Sequence, residues 1–161
     1  MCVASLRPAM RRVMAQGTFD ILHPGHVHYL EASAALGDEL VVVIARDARV
    51  GEHKDLLMDE ESRRRVVGAL ACVDEAVLGS EGDLFDSVAR VQPDVITLGY
   101  DQSFDPETLE ADLAEAGFTG IEVVRIGPGD ESLVSNSSDV KARLHEAHGD
   151  GAFHSVTGED S

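Results

Sequence analysis

Two histidines three residues apart, His23 and His26, are separated by Pro24-Gly25 and preceded by Gly17-Thr18-Phe19-Asp20. An imidazole N–H can donate to a phosphate oxygen, and such a bond strengthens as charge builds in a transition state. Pro24 suits the first position of a helix, and Val27, Leu30 and Ala34 continue at helical spacing toward Gly37, a stop signal. The histidines therefore stand at a helix entrance, where unpaired N–H groups and the positive end of the helix dipole already favour an anion. Gly17 permits a sharp turn or the close approach of a ligand. Asp20, His23 and His26 also form a three-ligand set for a metal, but the intervening Pro-Gly and the helix entrance favour phosphate. His28 points elsewhere on the helix and has a structural role.

The elements that must position these residues alternate along the chain. Residues 12–15 form a short strand before the turn, and Leu40 to Ala45 is a continuous, mostly β-branched run, as in a parallel strand covered on both faces. The polar stretch 46–57 concentrates scarce positive charge in Arg46, Arg49, His53 and Lys54. A helix at about 59–71 follows, then a strand at 75–78, a helix at about 83–91, a strand at 94–98 and a helix from Pro106 to Gly117. The last strand spans 120–126. This alternation predicts a single Rossmann-like α/β domain with an open, mainly parallel sheet, helices on both faces and ligands at the strands' carboxyl edge. Asn136-Ser137-Ser138-Asp139 can cap a final helix over about 140–147 and form a second phosphate cradle. The expected domain is 12–147, with an extension at 1–11 and a mobile acidic tail at 148–161.

The 161 residues carry 13 Lys+Arg against 30 Asp+Glu, a net charge of −17. Such a field repels nucleic acid and anionic membranes. The acids are spread over most segments rather than gathered in a block, and all but two of the basic side chains are arginine, a composition that reads as halophilic. No apolar run approaches the roughly 20 residues that span a bilayer, and the N-terminal segment lacks the apolar core of a secretory signal. A cytoplasmic protein is expected. Cys2 and Cys72 lack metal-ligand spacing, so neither a disulfide nor a structural metal is expected.

With GTFD at 17–20, HPGH at 23–26, Lys54, the segment ending at Arg63, LGYD at 98–101 and NSSDVK at 136–141, the chain resembles the nucleotidyltransferase superfamily that shares the HIGH signature. Over residues 12–147 it is most similar to the archaeal-type FAD synthases, with glycerol-3-phosphate cytidylyltransferases next. The resemblance implies transfer of AMP from ATP to FMN with Mg²⁺ or another divalent cation. It implies that Gly17, Thr18, Phe19, His23, Pro24, Gly25, His26, Asp101, Ser137, Ser138 and Lys141 bind the nucleotide, that His23, His26 and Lys54 are catalytic, and that Lys54 and Arg63 meet the acceptor phosphate. A Lys stands at 141 where the superfamily commonly has Arg, a point charge in place of a bidentate fork. Direct in-line attack by the acceptor phosphate on the α-phosphorus is the implied route, and a homodimer is admitted. The alternatives are a cytidylyltransferase for a phosphorylated acceptor such as glycerol 3-phosphate, and a nucleotide sensor without catalysis.

Overall fold

No residue of the run Leu40 to Ile44 is more than 5% exposed. Its side chains alternate between two cores, Leu40, Val42 and Ile44 entering one and Val41 and Val43 the other, which is why the run is apolar throughout instead of alternating with polar residues. The computed structural model describes residues 10–50, 56–130, 133 and 137–149. Five parallel strands, β1 (Arg12–Gly17), β2 (Glu39–Ile44), β3 (Glu75–Leu78), β4 (Val95–Leu98) and β5 (Glu122–Arg125), form one sheet in the order β3-β2-β1-β4-β5. Helices α1 (Pro24–Ala34) and α3 (Glu60–Gly68) supply Leu30 and Val67 to one face. On the other face α4 (Leu84–Val91) and α5 (Pro106–Glu115) supply Val88, Leu109 and Leu113. The expected doubly covered α/β sheet is what the chain forms.

Short side chains fix the helix starts. Asp59, Asp83 and Asp105 each accept the N–H three residues on, at Ser62, Asp86 and Thr108, and each such cap stabilises its helix by about 1 kcal/mol. Two elements differ from expectation. The polar stretch after β2 contains a single helical turn, α2 (Asp47–Val50). The last helix, α6 (Ser137–Gly149), begins at Ser137, so the serines and Asp139 occupy its first turn rather than preceding it. An acidic residue there is favoured by the helix dipole. The expected N-terminal extension up to residue 9 and the expected tail from residue 150 lie outside the described residues.

Strand order reverses at β1, which has β2 on one side and β4 on the other. The two sides are unequal. β1 pairs with β2 along its whole length, from Arg12–Glu39 to Gly17–Ile44, but with β4 only at Val13–Val95 and Met14–Ile96. Beyond Met14 the strands part, and the buried Tyr29 hydroxyl fills the gap. It accepts from the Gln16 N–H at 3.3 Å and donates to the Thr97 carbonyl at 2.7 Å. Ser33 Oγ lies 2.8 Å from Thr97 Oγ1 and donates to the Tyr29 carbonyl at 2.7 Å, completing a buried polar network between α1 and β4. Burial pushes the Tyr29 phenol up to about 12, so it remains a donor at every working pH.

Tyr29→Phe removes this bridge and leaves buried backbone groups short of a partner. It is expected to lower unfolding free energy by about 1–3 kcal/mol, read as a lower urea midpoint with unchanged slope. An unaltered midpoint would show that the hydroxyl carries no part of the strand junction.

Candidate active site

Where β1 and β4 part, a cavity of about 570 Å³ opens at the carboxyl ends of the strands, within the size range of small-ligand sites. Its floor is the β1 turn, Gly17 to Asp20. One half follows β2 and β3 and is lined by Ala45, Arg46, Gly79 and Ser80, while the other follows β4 and β5 and is lined by Gly99, Asp101, Gln102 and Gly127. The Gln102 amide donates to the Gln16 carbonyl at 3.1 Å, so the β4 half is tied to the turn by a side chain where the ladder has ended. Arg125 donates to the carbonyls of Gly99 and Gln102 at 2.9 and 3.0 Å and also to Phe104, fixing the loop that carries Asp101.

The turn itself is strained. Phe19 has φ = +54°, a region that costs a bulky residue on the order of 1–3 kcal/mol. Its ring folds back over Gly17, where a Cβ would lie 2.8 Å from the Phe19 ring. Glycine is required there by that close approach. Arg63 holds the turn from beneath: its side chain is fully buried and donates to the carbonyls of Thr18 at 2.7 Å, Ala45 at 3.0 Å and Met58 at 3.2 Å, and to the Asp47 carboxylate. One guanidinium thus joins the carboxyl ends of β1 and β2.

His23 is the N-cap of α1. Its Nδ1 accepts the His26 N–H at 3.3 Å, so in the neutral ring the proton sits on Nε2, which is left as a donor. Gly25, in the cavity lining, carries another of the helix's orphan N–H groups. The His23 and His26 rings stack with centroids 3.7 Å apart, and Phe19 meets His26 edge-on at 5.0 Å. Burial lowers the His26 pKa to about 4, with the neighbouring His23 adding to the shift. The Ile21 carbonyl opposes it without completing a hydrogen bond, since the buried His26 Nδ1 has no partner. Burial lowers His23 too, partly offset by Asp101 and Asp139. Burial thus biases both rings toward the neutral form, in which each keeps one N–H donor for an anion.

Asp20 is 3% exposed and accepts the N–H groups of Leu57 at 3.0 Å and Met58 at 3.0 Å. Lys141, on α6, completes its set at 3.1 Å. Burial alone would raise this carboxyl; the two N–H groups and the lysine outweigh it and hold the pKa below the usual carboxylate range. Its oxygens are thus engaged by protein donors, which is how the first turn is clamped both to the segment entering α3 and to the last helix.

Of the residues expected to act on a ligand, the structure gathers Gly17, Thr18, Phe19, His23, Gly25, His26, Asp101, Ser138 and Lys141 around this one cavity. Pro24 starts α1 and does not line it. Arg63, expected at the acceptor phosphate, is enclosed under the turn and is not in the lining. Lys54 and the Ser137 side chain lie outside the described residues. Gln102 is not singled out by its spacing, Asp20 is weighed in the sequence only as a metal ligand, and only the clustering of basic residues after β2 signals Arg46 and Arg49.

Among known proteins, the cytidylyltransferase-like family matches residues 14–143. An FAD synthase of Ferroglobus placidus is 48% identical over 135 residues, covering 84% of this chain and 88% of that protein. An FAD synthase of Methanothrix thermoacetophila is 49% identical over 139 residues, 86% of this chain and 96% of that one. A crystal structure from Thermoplasma volcanium, described as a lipopolysaccharide core biosynthesis protein, is 51% identical with a TM-score of 0.72, covering 75% of this chain and 99% of that one. A pantothenate synthetase of Thermus thermophilus, 18% identical with a TM-score of 0.53 over 88% of this chain and 71% of its own, shares the fold alone.

The buried neutral His26 makes stability depend on pH. In the unfolded chain an imidazole protonates near 6.5, whereas the folded one resists until about 4. Its contribution is full above pH 6.5 and is lost as pH falls toward 4, by about 3 kcal/mol in all. Urea midpoints across this window should fall more steeply for the parent than for His26→Asn, and parallel curves would show that His26 is not held neutral.

Proposed function

The chain belongs to the cytidylyltransferase-like family, and we propose that the reaction it catalyses is FAD synthesis, in which AMP passes from ATP to FMN and pyrophosphate leaves. The observation that carries this reading is the division of one cleft by the strained turn. Two phosphate-bearing substrates can occupy its halves and meet over the neutral donors His23 and His26. A cytidylyltransferase acting on glycerol 3-phosphate is not favoured, because the relatives at 48% and 49% identity are FAD synthases.

In this reading the nucleotide lies toward β4, with Asp101 beside the nucleoside and the Thr18–Phe19 backbone, Gly25, Ser137, Ser138 and Lys141 around the triphosphate. FMN enters over β2 and β3, and Lys54 serves its phosphate. An oxygen of the FMN phosphate attacks the α-phosphorus in line; the new P–O bond forms as the bond to the β-phosphate oxygen breaks, and pyrophosphate leaves with that electron pair. The attacking monoester is already largely ionised near pH 7, so no strong base is required and the rate comes from positioning and charge stabilisation. Because His23 and His26 are neutral, their N–H bonds strengthen as the equatorial oxygens gain charge without binding the ground state as fixed cations would.

A divalent cation belongs to this chemistry, Mg²⁺ in our reading. Among the described residues no three His, Cys, Asp or Glu side chains stand close enough to cage one; the carboxylates on the cleft are Asp20, Asp83 and Asp101, and Asp20 is already engaged by protein donors. When bound it neutralises phosphate charge. We place the protein in the cytoplasm with its two substrates, as a halophilic enzyme that binds neither nucleic acid nor membrane; among the described residues no helix is long and apolar enough to cross a membrane. An assembly of two copies is compatible with this reading.

Pyrophosphate release, measured in molar KCl with Mg²⁺, should require both ATP and FMN and fall well below this when CTP or glycerol 3-phosphate is substituted. Tight nucleotide binding with no turnover for any pair would favour a sensor. His26→Ala should lower kcat about 10²–10³-fold while changing the KM for ATP far less; the reverse split would assign His26 to ground-state binding. The thermal midpoint should rise with KCl up to molar concentration, since screening relieves the self-repulsion of a −17 chain.

A further inference from the structure

Among the described residues, three cationic side chains line the cleft, Arg46, Arg49 and Lys141, and two of them are already engaged. Lys141 pairs with Asp20 at 3.1 Å. Arg46 donates from Nε to the Gly79 carbonyl at 2.8 Å and from Nη1 to Glu60 at 3.1 Å. Arg49 is exposed; its N–H donates to the Arg46 carbonyl at 3.0 Å, but its side chain makes no hydrogen bond or ion pair with a described residue. Among the described cations of the cleft wall, Arg49 is thus the one whose side chain is not already engaged by a described residue.

The short helix α2 that carries Arg49 is firmly seated. The Asp47 N–H donates to Glu60 Oε2 at 2.8 Å, and the Glu60 N–H donates back to Asp47 Oδ2 at 3.2 Å. Buried Arg63 holds the same Asp47 carboxylate from below. The base of Arg49 is therefore fixed to α3 while its guanidinium is not committed to any described residue. Its place is also specific: α2 follows β2, on the far side of β1 from Gly99 and Asp101.

We propose that Arg49 holds the phosphate of the acceptor, a role that rests on the FAD synthase reading and adds to it a specificity-determining residue. A guanidinium can grip two oxygens of a phosphate monoester at once. The third oxygen is then left oriented as the nucleophile, so the same contact selects FMN over riboflavin and aims the attack. Arg63 is excluded from this task by its burial and by donors already spent on backbone and Asp47.

Flavin fluorescence titrations of the full chain in molar KCl, with FMN and with riboflavin, test this directly, alongside the KM for ATP. The parent should prefer FMN. Arg49→Ala should weaken FMN binding by about tenfold to a hundredfold, leave riboflavin binding and the KM for ATP unchanged, and so shrink the preference by that factor; Arg49→Lys should recover part of it. FMN binding by Arg49→Ala equal to the parent's overturns the proposal, as does a raised KM for ATP with FMN binding intact, which would give Arg49 to the triphosphate. A parent that binds neither flavin and releases no pyrophosphate from ATP and FMN would overturn the FAD synthase reading itself, and the proposal with it.

Discussion

Two parallel strands that separate inside a sheet leave partly or fully buried backbone donors and acceptors without their ladder partners. That is the constraint at the junction of β1 and β4, whose ladder stops at Met14–Ile96. Opening a ligand cleft there is tolerable only if each freed group finds another partner. The Tyr29 hydroxyl serves the Gln16 N–H and the Thr97 carbonyl, and the Gln102 amide serves the Gln16 carbonyl. The cleft therefore exists because one helix side chain and one loop side chain replace the missing ladder. Helix α1, which carries the histidines at its first turn, also carries the tyrosine that keeps the strands apart. Position of the donors and width of the cleft are set by the same rigid body.

A second theme is the use of charge below the surface. The β1 turn is gripped by a buried cation, Arg63, and a buried anion, Asp20, which do not bond each other; each is satisfied largely by main-chain groups. Such hydrogen bonds to charged partners are stronger than neutral ones, and breaking either set would strand a buried charge. The grip offsets the cost of holding Phe19 at positive φ and fixes the orientation of the peptide groups that a phosphate would meet.

The fold was largely legible in the sequence because its signals are local. β-branched runs, capping aspartates and Pro at helix starts mark the elements, and the paired histidines at a helix entrance mark the candidate site. What spacing did not reveal depends on contacts made far along the chain. Tyr29 looks like one more apolar-face residue until Thr97, 68 positions later, is brought beside it. Arg63 begins a run of three arginines, and only the packing of α3 under the turn decides that it points inward while Arg64 meets solvent and Glu61. Asp20 belongs to an obvious motif, yet its duty as a clamp requires Leu57, Met58 and Lys141 to converge on it. Neutral histidines, too, are a product of burial and not of residue type.

The contrast between the arginines on the cleft wall and the net charge of −17 has a consequence for the rate at which ligands arrive. At long range the protein presents an anionic body that turns phosphates away; within a few ångströms of Arg49 the sign of the force reverses, whereas the charge of Arg46 is already offset by Glu60. Salt shortens the reach of both forces, to about 3 Å at 1 M, and so removes the outer barrier while sparing the inner attraction. Encounter with a phosphate-bearing ligand would then quicken as ionic strength rises, the opposite of the electrostatic steering that cationic clefts give to proteins of balanced charge.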